Sequence, residues 1–142
     1  MPVFSVDFKV STSASTELID ITPQVNEAVR TASFQRGLAC VTTPHTTAAL
    51  LITQFQAALM HDLVVLAEQL VPRQAAYRHN DPRCSDCEGS DAHAHLRAAL
   101  FGRAVAVSIT NGAMMLGAYQ SIILAEFDGP RTREVTIQLA GD

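Results

Sequence analysis

The two ends of this sequence alternate strictly between polar and apolar residues, and this pattern limits the folds open to the chain. Residues 4–10 place Phe, Val, Phe and Val at every second position, and residues 134–140 alternate in the same way. A period of two puts the apolar residues on one face of a β-strand. We therefore predict two strands that each bury one face, and we expect no signal peptide at the first of them.

Turn and cap residues divide the rest of the chain into shorter elements. Thr22 followed by Pro23 predicts the start of a helix, and Gly37 its end. Asn111-Gly112 is a hairpin signal, with the returning strand predicted from 113 to 127. The other predicted strands are 18–22, 38–43, 48–53 and 104–110. The other predicted helices are 55–71, with a leucine stripe at 59, 63, 66 and 70, and 91–100, which Asp91 could cap.

These elements predict the fold class. Strands outnumber helices and tight turns join several of them, so the sheets should be mostly antiparallel. The length of 142 residues suits one domain. We therefore predict a single compact α+β domain over 1–142, with a mostly antiparallel sheet and two or three helices.

Composition and charge exclude several classes of protein. Apolar residues make up 48% of the chain and charged residues 17%, which is not the composition of a disordered segment. The net charge of −4 leaves no basic stripe for nucleic acid. No apolar run reaches the ~18 residues of a membrane-spanning helix. We therefore expect neither nucleic acid nor a membrane as a partner. Three cysteines without a secretory signal predict reduced thiols in the cytoplasm.

The histidines are the main candidates for chemistry, because imidazole binds metals and exchanges protons near neutral pH. His45 follows Pro44 at a break between two strands, where it is either a site residue or a core-edge residue bonded to backbone. Only one of His93 and His95 can face a shared site if their segment is helical, and we favour His95. His61 is predicted to be a solvated helix position.

A polar segment at 72–92 separates the two patterned halves and carries further candidates. At about 20 residues it is too long for a simple connection, and loops of that length are usually functional or mobile. It contains His79 and a C-x-x-C pair, Cys84 and Cys87. We interpret the pair first as incidental loop thiols, second as part of a structural zinc site, and third as a redox motif.

Arg131 follows the turn formed by residues 128–130, which holds it on a rigid arm beside Glu126 and Asp128. It is either one half of an exposed ion pair or an anchor for a phosphate or carboxylate. No P-loop, dinucleotide fingerprint, zinc-protease motif or nucleophile elbow occurs in the sequence. Nucleotide-driven and serine-hydrolase chemistry therefore have no motif in their favour.

The order and spacing of these residues resemble the YjbQ family over roughly residues 18–140. The strings that carry the resemblance are Pro44-His45-Thr46-Thr47-Ala48-Ala49-Leu50, Tyr77-Arg78-His79-Asn80, Ala94-His95-Leu96, Leu100-Phe101-Gly102, Gly112, Leu116-Gly117, Gln120 and Glu126-Phe127-Asp128-Gly129-Pro130-Arg131. Members of that family are known as secondary thiamine-phosphate synthases. The resemblance implies a YjbQ-like fold, a homotrimer, and a site at or near a subunit interface that holds a metal or an oxyanion.

The resemblance also implies roles for individual residues. The catalytic groups would be His45, His79, His95 and Glu126. The phosphate-binding residues would be Arg131, Asp128 and Gln120. The three histidines would also be the ligands of a divalent metal, with zinc as the first choice, although three imidazoles also suit iron, nickel and copper.

Three features depart from the usual family pattern. Where the family has Ile-Asn-Glu after the histidine string, this chain has Ile52-Thr53-Gln54, so an amide replaces a carboxylate. Tyr119 stands where the family usually has tryptophan, and the segment with Cys84 and Cys87 is unusual. The loss of the glutamate bears on activity more than on the fold.

Two functions of different class follow. The first is an enzyme that joins a pyrimidine pyrophosphate to a thiazole phosphate, as its main or a side activity. That reaction releases pyrophosphate, so it needs a metal or an arginine to stabilise the departing oxyanion. The second is a non-catalytic trimer that binds a metal or a small phosphorylated ligand, which Gln54 favours.

Overall fold

A computed structural model describes residues 1–87 and 89–142, and Glu88, part of the predicted polar segment, lies outside the described residues. The strands are β1 (Val3–Ser11), β2 (Glu17–Asp20), β3 (Arg36–Thr42), β4 (Ala48–Thr53), β5 (Ala104–Thr110), β6 (Ala113–Met114), β7 (Ser121–Glu126) and β8 (Thr132–Gly141). The helices are α1 (Thr22–Ala32), α2 (Ala57–Leu70) and α3 (Ala92–Phe101), with a short 3₁₀ turn at Arg78–Asn80. The predicted α+β class, with three α-helices, is confirmed.

The strands form two antiparallel sheets. The larger sheet has the order β1-β8-β3-β5-β6 and the smaller one the order β2-β7-β4. The two alternating ends of the sequence are neighbours, since Val3 lies opposite Ala140 and Ser11 opposite Thr132. Their apolar residues therefore fall on one face of the larger sheet, as the alternation predicts.

The smaller sheet is buried on both faces. One face packs on the larger sheet and α1, and this main core includes Leu50, Leu124, Val25, Val41 and Ile137. The other face packs on α2 and α3 through a second cluster, which includes Ala49, Ala125, Ala67, Ala98 and Phe127. Burial on both faces explains why β4 and β7 are continuous apolar runs without polar alternation.

α1 ends earlier than the sequence predicts. The helix stops at Ala32, and Ser33 adopts a left-handed backbone conformation (φ 58°) while donating its N–H to the carbonyl oxygen of Val29. Gly37, the predicted helix end, lies instead in β3. A side chain there would collide with the carbonyl oxygen of Ala140, so this glycine permits close contact between β3 and β8.

The strand predicted from 113 to 127 is wrong, because its residues are divided between the two sheets. Asn111 and Gly112 form the predicted turn with φ of 53° and 76°, but β6 contains only two residues. A second turn follows, in which the Gln120 N–H donates to the Gly117 carbonyl and the Gly117 N–H donates to the Gln120 side chain. This turn carries the chain from the larger sheet to the smaller one.

The leucines of α2 form only part of its buried face, which corrects the predicted stripe. The buried residues of the helix are Met60 and Ala67, and Leu63 is half-buried. Leu66 and Leu70 are 44% and 57% exposed. Within the described residues, no helix combines the length and the apolar character needed to cross a membrane.

Candidate functional site

A cleft of about 440 Å³ lies between the β3–β4 connection and α3. His45 and Thr46 line it from the connection, and His95, Ala99 and Arg103 line it from the helix and the residues that follow. Two of the three histidines implied as site residues therefore share one cavity. The cleft is open to solvent and has room for a small ligand.

His79 and His95 meet at Asp91, beside this cleft. The His79 Nε2 lies 3.1 Å from Asp91 Oδ1, and the His95 Nε2 lies 3.2 Å from Asp91 Oδ2. The two imidazole rings touch edge to face with their centroids 4.9 Å apart. One carboxylate thus orients both histidines, the arrangement by which proteins commonly fix the tautomers of metal-binding or proton-transferring imidazoles.

Two part-buried polar contacts hold the elements of this cluster together. The Asn80 Oδ1 accepts a hydrogen bond of 3.0 Å from the Ala92 N–H, so it caps α3 and holds the turn carrying His79 against the helix. Arg97, which is 1% exposed, donates two hydrogen bonds to the Val71 carbonyl and ties α3 to the end of α2. Because Asn80 serves as the cap, the Asp91 carboxylate makes no capping bond and remains available to the histidines.

Cys87 lies in the same cluster. Its Sγ is 3.5 Å from Asp91 Oδ1, and one ligand atom from each of Cys87, Asp91 and His79 lies within 4.8 Å of the others. Imidazole nitrogen, carboxylate oxygen and thiolate sulfur are the donors that zinc prefers in proteins. These three residues therefore fit a divalent metal of the zinc class, and His95, which contacts the other Asp91 oxygen at 3.2 Å, stands just outside the group of three.

The Asp91 carboxyl is ionised in this setting. Burial is the largest single influence and raises its pKa, but the hydrogen bonds from Cys87, His79 and His95, with the attraction of His95, outweigh it. The net result is a pKa below the usual aspartate range. Asp91 therefore supplies negative charge to the cluster at neutral pH.

His45 is held differently from the other two. Its Nε2 accepts a hydrogen bond of 2.8 Å from the Glu134 backbone N–H, so in the neutral ring the proton sits on Nδ1. The metal donor group does not include His45. The geometry therefore supports His45 as a hydrogen-bond donor through Nδ1 rather than as a ligand through Nε2, and its implied metal role stays a prediction.

We predict that His45 is neutral at pH 7 and titrates below pH 6.5. Burial is the main cause of its lowered pKa, helped by the positive charges of Arg133 and Arg131 and opposed by Glu134 and Glu126. Since the unfolded chain takes up this proton first, the pKa difference destabilises the folded state as pH falls below 6.5 and has no effect well above it. Nitrogen-15 shifts of labelled histidine, assigned with His45→Gln, measure this; titration above 6.5 would contradict it.

Arg131 and Asp128 form an ion pair at the turn between β7 and β8, and neither residue lines the cleft. The Arg131 Nη2 donates to the Asp128 carboxylate at 2.8 Å, and the guanidinium is 55% exposed. Its pKa is raised chiefly by this hydrogen bond and charge pair, with smaller contributions from Glu126 and Asp91. The charge of Arg131 in turn lowers the pKa of His45, and its implied role as a phosphate anchor stays a prediction.

Glu126 is buried in an ion pair. The carboxylate is fully buried, pairs with both Nε and Nη2 of Arg133, and accepts a further hydrogen bond of 2.9 Å from Thr12. The Asp128 N–H donates to it as well, at 3.0 Å. These contacts outweigh burial and lower the pKa of Glu126. The geometry therefore supports a positioning role, in which Glu126 fixes the turn that carries Arg131, and its implied catalytic role stays a prediction.

The other candidates lie elsewhere. Gln120 is exposed and makes a turn with Gly117, and among the described residues it forms no hydrogen bond with the histidine cluster. His93 is 1% exposed and packs on the inner side of α3, whereas His61 is a surface residue, as predicted. Gln54 is exposed after the end of β4. The phosphate-binding role implied for Gln120 stays a prediction.

We predict that Gly129→Ala destabilises the fold by about 1–3 kcal/mol, the usual cost of overpacking. A Cβ at this position would lie 2.8 Å from the Thr12 Oγ1 and 2.9 Å from the Glu126 Cγ, and nearer still to the Ala14 carbonyl oxygen. Denaturant unfolding measures the cost. Gly117→Ala is the matched control, since its nearest neighbour is a flexible side chain at 3.4 Å. Equal stability of the two variants would contradict the prediction.

The sequence points to this region only in part. The position of Asp91 predicts a helix cap, that of Cys87 predicts a loop thiol first and a zinc ligand second, and Arg133 is not among the predicted site residues. One signal was available, because Cys87, Asp91 and His95 are spaced four apart, the distance that aligns side chains on one side of a helical turn. A signal for the buried Arg133 was available too, because it lies two residues before Val135 and so falls on the buried face of β8.

Known proteins resemble this chain over its whole length. The sequence profile described as "UPF0047 protein YjbQ-like" matches residues 6–142. A UPF0047 protein of Archaeoglobus fulgidus is 40% identical over 133 residues, which are 94% of this chain and 98% of that protein. A UPF0047 protein of Methanothermobacter thermautotrophicus is 36% identical over 141 residues, which are 99% and 94% of the two chains.

Solved structures resemble it equally well. A YbjQ-like protein of unknown function from Sulfolobus solfataricus P2 has a TM-score of 0.92 and 31% identity, covering 99% of both chains. A hypothetical protein from Aeropyrum pernix K1 has a TM-score of 0.91 and 31% identity, covering 98% of this chain and 99% of that one. With profile, sequence and fold in agreement, this chain belongs to the YjbQ (UPF0047) family.

Proposed function

We propose that this chain is an enzyme that uses a divalent metal and Arg131 to act on a small phosphorylated molecule. The observation that carries the proposal is the cluster of His79, Asp91 and His95, which stands beside a cleft that also contains His45. Structural ion pairs do not need two histidines on one carboxylate at the edge of a cavity. Convergent polar groups at the edge of a cleft are the usual mark of a binding or catalytic site.

The metal is proposed to bind His79, Asp91 and His95, with zinc as the best match to these donors. When bound, it would supply Lewis-acid stabilisation of a phosphoryl or leaving oxygen. Arg131 would hold the same phosphate from the side of the β7–β8 turn, because its exposed guanidinium can bind two oxygens at once. His45 would donate its Nδ1–H to a ligand oxygen, since its Nε2 is already occupied by the Glu134 N–H.

The reaction that the family resemblance implies is thiamine-phosphate synthesis. This reaction needs a positive charge near the leaving group, and this chain has a suitable arginine. Joining a pyrimidine pyrophosphate to a thiazole phosphate creates a departing pyrophosphate, whose charge a cation must stabilise. Arg131 can supply part of that charge. Strong general-base catalysis is not required, which agrees with a buried Glu126 that is locked to Arg133.

A turnover assay tests this function. Wild-type protein loaded with zinc is mixed with the pyrimidine pyrophosphate and the thiazole phosphate, and release of pyrophosphate is measured. We expect Arg131→Ala to lower kcat/KM by about 10²–10³, the usual cost of removing a group that stabilises charge in the transition state. Arg36→Ala, which removes an exposed arginine at the far end of the larger sheet, should leave kcat/KM unchanged.

The same proteins distinguish the enzyme from a binding protein. If turnover is absent, but pyrophosphate raises the melting temperature of wild type and not of Arg131→Ala, the chain is the non-catalytic binding protein that Gln54 favours. Absence of both turnover and stabilisation would overturn the phosphate proposal.

We also propose that the chain assembles as a homotrimer, as the family resemblance implies, and that it works in the cytoplasm, as three cysteines without a secretory signal predict. Exposed leucines on two helices support an interface between copies, namely Leu66, Leu70, Leu96 and Leu100. Sedimentation should give three times the chain mass of 15.3 kDa. The mass of a single chain would contradict the trimer.

A further inference from the structure

We propose that Cys87 is a thiolate ligand of the metal site. We also propose that Cys84 removes Cys87 from the metal by forming a disulfide with it. The proposal rests on the metal site of the proposed function. It adds a ligand that neither the family resemblance nor the three histidines suggested, and it makes metal binding dependent on the redox state of the chain.

The position of Cys87 carries the first half of the proposal. Its Sγ is 3.5 Å from the same Asp91 Oδ1 that His79 contacts at 3.1 Å, and the three groups lie within 4.8 Å of one another. The thiol is half-buried, and its backbone N–H is fixed by a 3.0 Å hydrogen bond to the Ser85 hydroxyl. A sulfur held at this distance from a carboxylate and an imidazole needs only small side-chain movements to share an ion with them.

A sulfur ligand also selects the metal. Thiolate favours zinc and other borderline or soft ions, whereas magnesium, calcium and manganese prefer oxygen ligands. With Cys87, the donor set becomes two histidines, one aspartate and one cysteine, all typical zinc ligands. The substrate phosphate would then meet a zinc ion rather than the magnesium ion that many phosphate-handling enzymes use.

The position of Cys84 supports the second half of the proposal, the formation of a disulfide. It is exposed, lies three residues before Cys87, and is separated from it by a bend. The turn is held by hydrogen bonds from the Cys84 and Ser85 N–H groups to the Asp81 carbonyl, at 2.9 and 3.0 Å. Cysteines in a C-x-x-C arrangement form disulfides readily, and both of these are free thiols. Cys84 is not part of the metal donor group, so it is available to an oxidant while Cys87 is bound.

The oxidation balances with a small-molecule disulfide, such as oxidised glutathione, as the oxidant. The Cys84 thiolate attacks the S–S bond of the oxidant, which forms a mixed disulfide and releases one thiol. The Cys87 sulfur then attacks the Cys84 sulfur, so that the protein disulfide forms and the second thiol leaves. Two protein sulfurs are oxidised by two electrons in total, and one S–S bond of the oxidant is reduced. The two released thiols take up two protons. Because metal binding has already removed the Cys87 proton, one of these protons comes from Cys84 and the other from water.

Cobalt substitution tests the ligand. Cobalt(II) is added to metal-free full-length wild type, Cys87→Ser and Cys84→Ser, and absorbance is recorded. We expect a sulfur-to-cobalt charge-transfer band in wild type and in Cys84→Ser, and loss of that band in Cys87→Ser. If wild type binds cobalt without this band, or Cys87→Ser keeps it, Cys87 is not a ligand although the metal site stands. If wild type binds no cobalt, the metal site itself and this inference both fail.

Zinc release tests the disulfide. Zinc-loaded wild type and Cys84→Ser are treated with oxidised glutathione, while a chromogenic chelator reports free zinc and a thiol reagent counts free cysteines. We expect wild type to release its zinc as two thiols disappear, and Cys84→Ser to release zinc at least about 10-fold more slowly, because Cys87 then has no neighbouring mixed disulfide to attack. Equal release rates, or a disulfide that forms without zinc release, would overturn the redox role of Cys84.

Discussion

Glu126→Gln should lower the free energy of unfolding by about 3–5 kcal/mol, the cost of leaving a buried charge without its partner. Arg133 is only 3% exposed, and its guanidinium binds the Glu126 carboxylate and the Thr47 hydroxyl. Glutamine keeps the size of the side chain but removes the negative charge. The Arg133 charge then remains buried without compensation, so the folded state loses stability.

A double variant separates the charge from the packing. Replacing the pair by apolar residues, as in Glu126→Leu with Arg133→Met, should recover most of the lost stability, because no charge is left buried. Glu134→Gln is the matched control, since Glu134 is exposed next to Arg133 and its loss should change stability by no more than about 0.5 kcal/mol. Denaturant unfolding at pH 7 measures all three.

The pH dependence has a definite sign. The pKa of Glu126 is below its ordinary value of 4.5 in the folded state, so the pair stabilises the fold above pH 4.5. That contribution is lost as pH falls through the lowered pKa, and Glu126→Gln should lack it at every pH. If Glu126→Gln unfolds like wild type but loses turnover, Glu126 is a catalytic group, and the positioning role assigned to it is wrong.

Asp91→Asn should abolish the binding of zinc. The carboxylate contacts His79, His95 and Cys87, and it supplies the negative charge that a divalent ion needs. Asparagine has almost the same volume, and the Asp91 side chain makes no helix-capping bond, so the fold should tolerate the change. We expect zinc to fall from one ion per chain to none after dialysis, as measured by elemental analysis.

Two surface variants control for general effects on metal content. Asp62→Asn and His61→Ala change an exposed pair on α2, whose atoms are 3.7 Å apart; neither residue lines the cleft or belongs to the metal donor group. Both variants should keep one zinc ion per chain. His95→Ala should lose zinc as Asp91→Asn does. Zinc retained in Asp91→Asn would show that the ion binds elsewhere on the chain.

The sequence predicted most of the fold because the elements of the larger sheet obey simple rules. The alternation in β1 and β8 reflects one buried face, and the Asn111-Gly112 turn needs the positive φ that both residues adopt. The errors arose where tertiary packing decides. Leu66 and Leu70 have the spacing of a buried stripe, yet the small Ala67 allows α2 to approach the sheet from another side.

The site was predictable only in part, for a similar reason. Residues two apart cannot share a helix face, so the spacing predicts that only one of His93 and His95 faces the site. In α3 His93 is buried, whereas His95 contacts His79. The role of Asp91 depends on Asn80, which caps α3 and leaves the carboxylate free. Here a residue from another segment, Asn80, takes over the capping role from Asp91. No spacing rule detects this substitution, because it depends on how the two segments pack.

Anomalous X-ray scattering at the zinc absorption edge, from crystals of the zinc-loaded protein, tests the central claim most directly. We predict one peak per chain within about 2.0–2.2 Å of nitrogen or oxygen atoms of His79, Asp91 and His95, the normal range for zinc bonds to these donors. A peak at any other group of residues, or no peak in protein shown to be loaded, would contradict a metal site beside the His45 cleft.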